Sequence, residues 1–206
     1  MILECANPTD IGFDITRTSA RVGAFQLQSN FDAALVATLQ PGAYTAQVSG
    51  TNGSAARGVA LVEIYDANTF PADRRLVNIS TRGNILSGEH TLIAGFVISG
   101  TEPKQVLIRA AGPGLGLFNV AGILADPMLT VADGTGATVV ANNDWGTNIN
   151  SIDIAQSATK VGAFPFSAAS KDAAVLVNLK PGAYTALVTG ANGSTGVALV
   201  EVYEVR

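Results

Sequence analysis

The chain contains few of the residues on which disulfide bonds and catalysis depend. Its 206 residues include one cysteine, Cys5, and one histidine, His90. One cysteine cannot form an internal disulfide. We see no Ser/His or Cys/His arrangement and no His/Cys metal-ligand spacing, and catalysis normally needs a positioned base together with a nucleophile or a metal. We therefore expect a protein that is not an enzyme and holds no cofactor, with His90 on the solvent face of a strand.

Charge and long apolar runs are also scarce. There are 12 Lys and Arg residues against 16 Asp and Glu residues, and the basic residues form no cluster. Nucleic acid requires a positive surface, so we do not expect it as a partner. No apolar run reaches the roughly 20 residues of a membrane span. Hydrophobic residues nevertheless make up 48% of the chain, which is enough for a substantial core.

The most informative feature that is present is an internal repeat. Residues 181–203 read PGAYTALVTGANGSTGVALVEVY, and residues 41–65 read PGAYTAQVSGTNGSAARGVALVEIY. Further upstream, DAAVLVNL at 172–179 matches DAALVATL at 32–39. The two copies are offset by about 140 residues, and such self-similarity must be recognised before any fold is assigned.

Each copy of the repeat predicts two strands joined by a short turn. Tyr184, Ala186 and Val188 alternate with more polar residues, which places these three on the core face. Asn192-Gly193 and Asn52-Gly53 supply residues that tolerate positive φ, as a hairpin-type connection requires.

The closing strand of each copy, 197–203 and 59–65, is apolar on both faces. A strand of that kind is usually covered on both faces. Two interpretations remain open: a neighbouring module or subunit covers the second face, or the strand is central and lies under a loop of its own module. The interface interpretation involves Val197, Leu199 and Tyr203 and, in the first copy, Val59, Leu61 and Tyr65.

The first copy is incomplete. Projected onto the second copy, Met1 falls near Val140, in the middle of the module. We therefore divide the chain into a partial β-sandwich repeat at 1–66 that lacks its opening strands, a linker at 67–74 and a complete module at 75–206. The missing strands have three possible sources: residues 67–140 of this chain, a neighbouring subunit, or a longer tandem array of which this chain is a fragment.

The second module reads as a series of short strands. We expect strands at 75–80, 91–99, 105–111, 128–132 and 138–141, with loops at 82–89 and 112–126. Gly, Pro and Asn turns separate them, and no segment shows a sustained helical period. The pattern predicts an all-β fold, an antiparallel β-sandwich or jelly roll.

The order of motifs in the second module resembles a known family. The segments are DPMLTVADG at 126–134, NNDW at 142–145, LKPGAYTALVTG at 179–190 and the closing strand that starts at Gly196. Together they are similar to the bacterial pre-peptidase C-terminal type of β-sandwich and to repeat modules near the ends of large secreted bacterial proteins. The resemblance covers 75–206 fully and 5–66 in part. It implies an extracellular or cell-surface module that is not catalytic and has an attachment, binding or structural role.

Two groups of residues are candidates for binding sites. Asp126, Asp133, Asn142 and Asp144, with Asn143 between them, supply oxygen atoms of the type that Ca²⁺ prefers. The alternative is that these side chains stabilise their own turns, as Asp and Asn often do. Trp145 is either a platform that stacks on a sugar ring or a packing residue at one end of the sandwich.

These observations favour a structural role. A half-sandwich exposes an apolar face and unpaired strand edges, which can pair with another chain. We therefore expect an extracellular structural module that associates head-to-tail with itself or packs in tandem with neighbouring modules, and that forms a filament or surface layer if the contact does not close. The alternative function is that of a carbohydrate- or surface-binding accessory module of a larger secreted protein.

Overall fold

The computed structural model describes residues 2–3, 15–29, 31–50, 58–67, 76–87 and 91–206. The chain divides into two compact units, Met1–Leu76 and Val77–Arg206, and each is described by itself. The expectations for His90, for Asn52-Gly53 and for all of the proposed linker except Ala67 fall outside the described residues.

The elements follow in chain order. The first unit contains β1 (Ile2–Leu3), α1 (Ile15–Val22), β2 (Val36–Ala37) and β3 (Tyr65–Asp66). The second unit contains β4 (Asn78–Ile85), β5 (Leu92–Ile98), β6 (Lys104–Ala111), β7 (Pro127–Asp133), β8 (Thr138–Asn142), α2 (Ser151–Lys160), β9 (Ala173–Leu179), β10 (Gly182–Gly190) and β11 (Gly196–Val205). Neither helix in the described part of the chain is long and apolar enough to cross a membrane.

The second unit is a β-sandwich of two four-stranded antiparallel sheets, as the sequence predicted. The strand orders are β5-β10-β7-β8 and β4-β11-β6-β9. Strand β4 continues to Ile85 through residues expected in a loop, because it pairs with β11 along its whole length. The fully buried core between the sheets includes Val106, Ile108, Leu129, Val131, Val175, Ala186, Val188, Ala198 and Val200.

The predicted hairpin between the last two strands is wrong. Strands β10 and β11 lie in different sheets, so the connection crosses the sandwich. Asn192 and Gly193 do adopt the expected positive φ values, 54° and 73°. A turn sequence determines the local backbone, whereas the pairing of a strand depends on which neighbours bury its side chains. Both edges of β10 and of β11 are already occupied.

The second unit also contains an α-helix, although no segment of the sequence shows a sustained helical period. Helix α2 buries Ile154, Ser157 and Ala158, which have helical spacing but include only one large apolar residue. Because the buried stripe has three residues and two of them are small, the sequence shows little of the hydrophobic periodicity from which a helix is predicted. Gly162, at φ 74°, follows the helix end, and the Ala163 N–H donates to the Ala158 carbonyl at 2.9 Å, an arrangement typical of helix C-termini.

Core burial in the second unit predicts a clear difference between two valines in one sheet. Val188 is fully buried on β10, whereas Val97 on β5 is 72% exposed. Because each change to alanine removes the same two methyl groups, Val188→Ala should lower the free energy of unfolding by about 2 kcal/mol and Val97→Ala by less than about 0.5 kcal/mol. Urea unfolding followed by the fluorescence of Trp145 measures both. Equal losses would contradict the assigned core.

Candidate strand-completion site

The first unit contains a small sheet whose middle strand is very short. Its order is β2-β1-β3, and β1 runs parallel to both neighbours. Ile2 pairs with Val36 on one side and Tyr65 on the other. Among the described residues, β2 and β3, which are far apart in sequence, are therefore connected through the two residues of β1.

The second unit has a long strand at the same place. Strand β6 lies between β9 and β11 and is antiparallel to both. Leu107 of β6 pairs with Leu176 on one side and Tyr203 on the other. Pairing extends over 104–110 along β9 and over 105–111 along β11.

The repeat relates these two arrangements residue by residue. Val36 and Tyr65 are the repeat counterparts of the two pairing partners of Leu107. The backbone of Ile2 therefore occupies the position that belongs to Leu107 in the second unit. Strand β1 thus occupies the position of β6 with two residues. It runs parallel to its two neighbours, whereas β6 runs antiparallel to its own.

Several described apolar residues of the first unit are more exposed than their counterparts in the second unit. Val48 is 59% exposed, whereas its counterpart Val188 is fully buried. Val62 is 45% exposed, whereas its counterpart Val200 is fully buried. Other exposed large apolar residues among those described in the first unit are Ile15, Phe25, Leu27, Phe31, Leu35, Tyr44, Val59 and Leu61.

The local structure of the first unit nevertheless matches that of the second. The hydroxyl of Tyr44 donates to the Gln40 carbonyl at 2.9 Å, and that of Tyr184 donates to the Lys180 carbonyl at 2.9 Å. Gly23, after α1, has φ 75°, like its counterpart after α2. The described part of the first unit therefore shares local structure with the second unit, although its apolar side chains are more exposed.

A tyrosine–glutamate contact also occurs in both units. The Tyr65 hydroxyl donates to Glu63 Oε1 at 3.1 Å, and the Tyr203 hydroxyl donates to Glu201 Oε1 at 2.8 Å. Burial raises the pKa of both tyrosines, and the adjacent carboxylate contributes in each case. The contact therefore belongs to the repeat, since it occurs in both units despite the different exposure of the surrounding residues.

The proposed interface residues have different environments in the two units. Val59 and Leu61 are strongly exposed, and Tyr65 is half-buried. Tyr203 is buried in a second cluster with Leu107, Trp145, Ile154, Ala158, Ala163, Ala174 and Val205. Val197 and Leu199 are half-buried. In the second unit, residues of the same unit thus cover the outer face of β11 around Tyr203, whereas in the first unit Val59 and Leu61 are exposed.

Strand β6 carries a buried arginine that sequence reasoning missed. Arg109 is 1% exposed, and its guanidinium carbon lies 4.5 Å and 4.0 Å from the ring centroids of Phe164 and Phe166. Its Nη2 donates to the Phe164 carbonyl at 2.7 Å, and its Nη1 lies 3.5 Å from Glu201 Oε2. Burial lowers the pKa of Arg109, while the carboxylate of Glu201 opposes that shift. The sequence feature that could have indicated it is the single arginine within the apolar run QVLIRAA at 105–111.

A buried aspartate anchors the loop beside this arginine. Asp172 is completely buried and accepts hydrogen bonds from the backbone N–H groups of Gly112, at 2.7 Å, and Gly114, at 3.0 Å to Oδ2. The Ser170 hydroxyl also bonds to its carboxylate. Backbone amides are suitable partners for a buried carboxylate. This residue therefore ties the start of β9 to the loop that follows β6.

The calcium candidates lie in two separate places. Asp133 accepts hydrogen bonds from the backbone N–H and hydroxyl of Thr135, and these bonds lower the pKa of its carboxyl group. Asp126 lies at the other end of β7, about 20 Å away at the usual rise per strand residue. One ion with ligands at 2.3–2.6 Å cannot bind both carboxylates.

The other calcium candidates have protein partners. Lys171 Nζ lies 3.7 Å from Asp126 and 3.2 Å from Asp144. Asn142 accepts from the Ala174 N–H at 2.9 Å and donates to the Asp144 carbonyl at 3.2 Å. Across the described ranges, no group of three or more His, Cys, Asp and Glu side chains is placed to hold a metal ion.

Trp145, the proposed sugar platform, is 8% exposed. Its Nε1 donates to the Ser167 carbonyl at 2.9 Å, and its ring lies 6.2 Å from that of Phe166. The ring belongs to the cluster that contains Tyr203. It therefore offers no open face on which a sugar can stack.

Comparison with known proteins finds similarity only among solved structures. No protein-family model and no curated protein matches the chain. The pre-peptidase C-terminal domain of a collagenase from Bacillus anthracis is 12% identical, with a TM-score of 0.37, over 61% of this chain and 89% of that one. A family GH115 4-O-methyl-α-glucuronidase with specificity for decorated arabinogalactans is 15% identical, with a TM-score of 0.30, over 70% of this chain and 20% of that one. Both similarities are loose and carry no inference about function, ligand or partner.

The buried ion pair of Arg109 and Glu201 can be compared with an exposed pair on the same two strands. Lys104 and Glu204 lie 3.2 Å apart, and both are partly exposed. Removing one partner of a buried pair costs about 3–5 kcal/mol, whereas an exposed pair contributes about 0–1 kcal/mol. Arg109→Met should therefore destabilise the second unit far more than Lys104→Met in urea unfolding.

A double variant provides the control for that prediction. Adding Glu201→Gln to Arg109→Met removes the buried charge that is left behind, so the double variant should lose less stability than the sum of the single variants. Additive losses, or an Arg109→Met cost no larger than that of Lys104→Met, would contradict the buried-pair assignment.

The raised pKa of Tyr203 predicts a stability change at alkaline pH. The unfolded chain releases the hydroxyl proton near the ordinary value of 10.0, while the folded protein retains it. Folding then takes up a proton, so stability should fall as the pH rises above about 10. Tyr203→Phe should flatten this decline in urea unfolding between pH 8 and pH 11. Lys171 titrates in both proteins, so the difference isolates Tyr203, and parallel declines would contradict the assignment.

Proposed function

We propose that this chain is an extracellular structural module without catalytic activity, which self-associates or packs in tandem with neighbouring modules. The supporting observation is the contrast between Val48 and Val62, which are exposed, and their repeat counterparts, which form the core of the second unit. An extracellular location follows from the resemblance of the motif order to modules of secreted bacterial proteins. The proposal includes no cofactor.

Energetics favour completion of the first unit by a neighbour. Burying one Val or Leu side chain stabilises a protein by roughly 1.5–3 kcal/mol. Covering Val48, Val62 and Leu61 would therefore contribute several kcal/mol, against a typical domain stability of roughly 5–15 kcal/mol. If each copy covers the next without closing a ring, the contact builds a filament.

In the alternative role, carbohydrate binding, Trp145 would be the residue that stacks on a sugar ring. Trp145 is buried and bonded to a backbone carbonyl. Asp126 and Asp144 share Lys171, and Asp133 bonds within its own turn. The structural role is therefore the one that the exposed apolar positions of the first unit favour.

Self-association is tested by adding charge to the exposed positions. The wild-type protein should grow in hydrodynamic radius with concentration in light scattering and form oligomers or filaments in electron microscopy. Val59→Lys/Leu61→Lys should abolish that growth, since a lysine cannot be buried cheaply in an apolar contact. The matched control is Ile93→Lys/Val97→Lys, which changes two exposed apolar residues of β5 and should leave assembly intact.

Two outcomes would contradict self-association. One is a wild-type protein that remains a monodisperse monomer at high concentration. The other is assembly that is unaffected by the first-unit variant but abolished by the β5 variant, because the contact would then lie on the edge strand of the second unit.

A further inference from the structure

We infer that the position of β1 in the first unit is a binding site for a strand of the β6 type, which enters antiparallel between β2 and β3. The inference rests on the tandem-packing form of the proposed structural role and specifies the strand that a neighbouring module would supply. That partner is an extended segment with the pattern of residues 105–111, an aliphatic strand with one arginine, supplied by another module of the same repeat.

The first support is that β1 does not lie at its own repeat position. At the 139-residue offset that aligns Asp14-Ile15 with Asp153-Ile154, Ile2 corresponds to Ala141 of β8. In the second unit Ala141 pairs with Thr130 of β7, in the other sheet. In the first unit the equivalent segment lies instead between β2 and β3. It therefore fills a position that the module assigns to a different strand.

The second support is direction and length. Strands β4 to β11 of the second unit pair in antiparallel fashion, while β1 is parallel to both of its neighbours. A β6-type strand would restore the antiparallel ladder and extend it well beyond two residues. Backbone N–H and C=O groups require partners when they are buried, so the longer ladder is the more stable one.

The third support is the chemistry around the arginine. In the second unit Arg109 lies directly opposite Glu201 on β11, and its guanidinium packs against the ring of Phe164. The repeat counterparts are Glu63 and Phe25, and the side chain of Phe25 is exposed. An arginine in the incoming strand would thus meet a carboxylate and an aromatic ring. One difference exists, because Leu27 replaces the second ring.

The folded second unit cannot supply this strand itself. Strand β6 lies in the middle of its sheet, and 106–111 is buried throughout. Withdrawing it would uncover β9 and β11 and leave the Glu201 carboxylate without its ion-pair partner. The occupant is therefore a β6-type strand from a module that is not already a complete sandwich.

Peptide binding to the full chain tests the site. The probe is a fluorescent peptide of residues 103–112, PKQVLIRAAG, and the control is the same peptide with its sequence reversed. Anisotropy should show saturable binding of the first peptide only. Ile2→Pro/Leu3→Pro removes the β1 ladder, so this variant should bind at least about threefold more tightly. No binding to either protein, or equal binding of both peptides, would overturn the inference.

Disulfide cross-linking tests the direction. In the second unit Lys104 pairs with Leu179 and Ala110 with Ala173, whose counterparts are Leu39 and Ala33. In a Cys5→Ser background, a cysteine at peptide position 104 should cross-link to Leu39→Cys, and one at position 110 to Ala33→Cys. The opposite pattern would mean parallel entry and would contradict the inference.

The arginine provides a test of register, because nonspecific hydrophobic binding of the peptide would not depend on this residue. A peptide with Met in place of Arg109 should bind the wild-type protein about tenfold more weakly. Glu63→Gln should remove most of that difference, whereas the exposed control Glu102→Gln should retain it. If Glu63→Gln leaves the preference for arginine unchanged, the proposed register is wrong.

The outcomes separate this inference from the proposed function. If the pure protein assembles but the peptide does not bind, the strand assignment fails and the structural role stands. If the peptide binds in the predicted direction while the protein alone stays monomeric, the site stands and self-association fails.

Discussion

Strand β6 and its two neighbours depend on one another. One face of β6 places Val106, Ile108 and Ala110 in the core between the sheets. The other face places Leu107 in the second cluster and Arg109 between two phenylalanine rings. Because both faces and both edges of β6 are occupied, this strand joins the two apolar clusters of the module. Among the described residues of the first unit, the corresponding position between β2 and β3 holds the two residues of β1.

The repeat allows a comparison of local and long-range effects within one chain. Both copies form the helix that ends in a positive-φ glycine, the tyrosine bond to a carbonyl four residues earlier and the Tyr–Glu contact. These features depend on residues close in sequence, and they occur whether or not the rest of the module is present. Regular strands and burial depend on partners distant in sequence. The strands described in the first unit are two residues long each, and many of its described apolar residues are exposed.

The same distinction explains how much could be predicted from the sequence. Period-two alternation identified the core face of β10 and the β-sandwich class, because it depends only on residues within a strand. The alternation does not state which strand pairs with which, so the Asn192-Gly193 turn suggested a hairpin where the chain crosses between sheets. Helix α2 escaped notice because its buried stripe consists mostly of small residues. The partners of Arg109 are separated from it by 55 residues or more, beyond the reach of any local pattern.

Amide hydrogen exchange of the full chain, resolved by residue, tests the central claim most directly. If the first unit lacks a β6-type strand, amides in 33–49 and 58–67 should exchange orders of magnitude faster than their counterparts in 173–189 and 196–205, since protection follows cooperative burial. Addition of the β6-type peptide should then slow exchange around Val36 and Tyr65. Slow exchange of both units in the protein alone would show that the first unit is already complete, and would contradict the account.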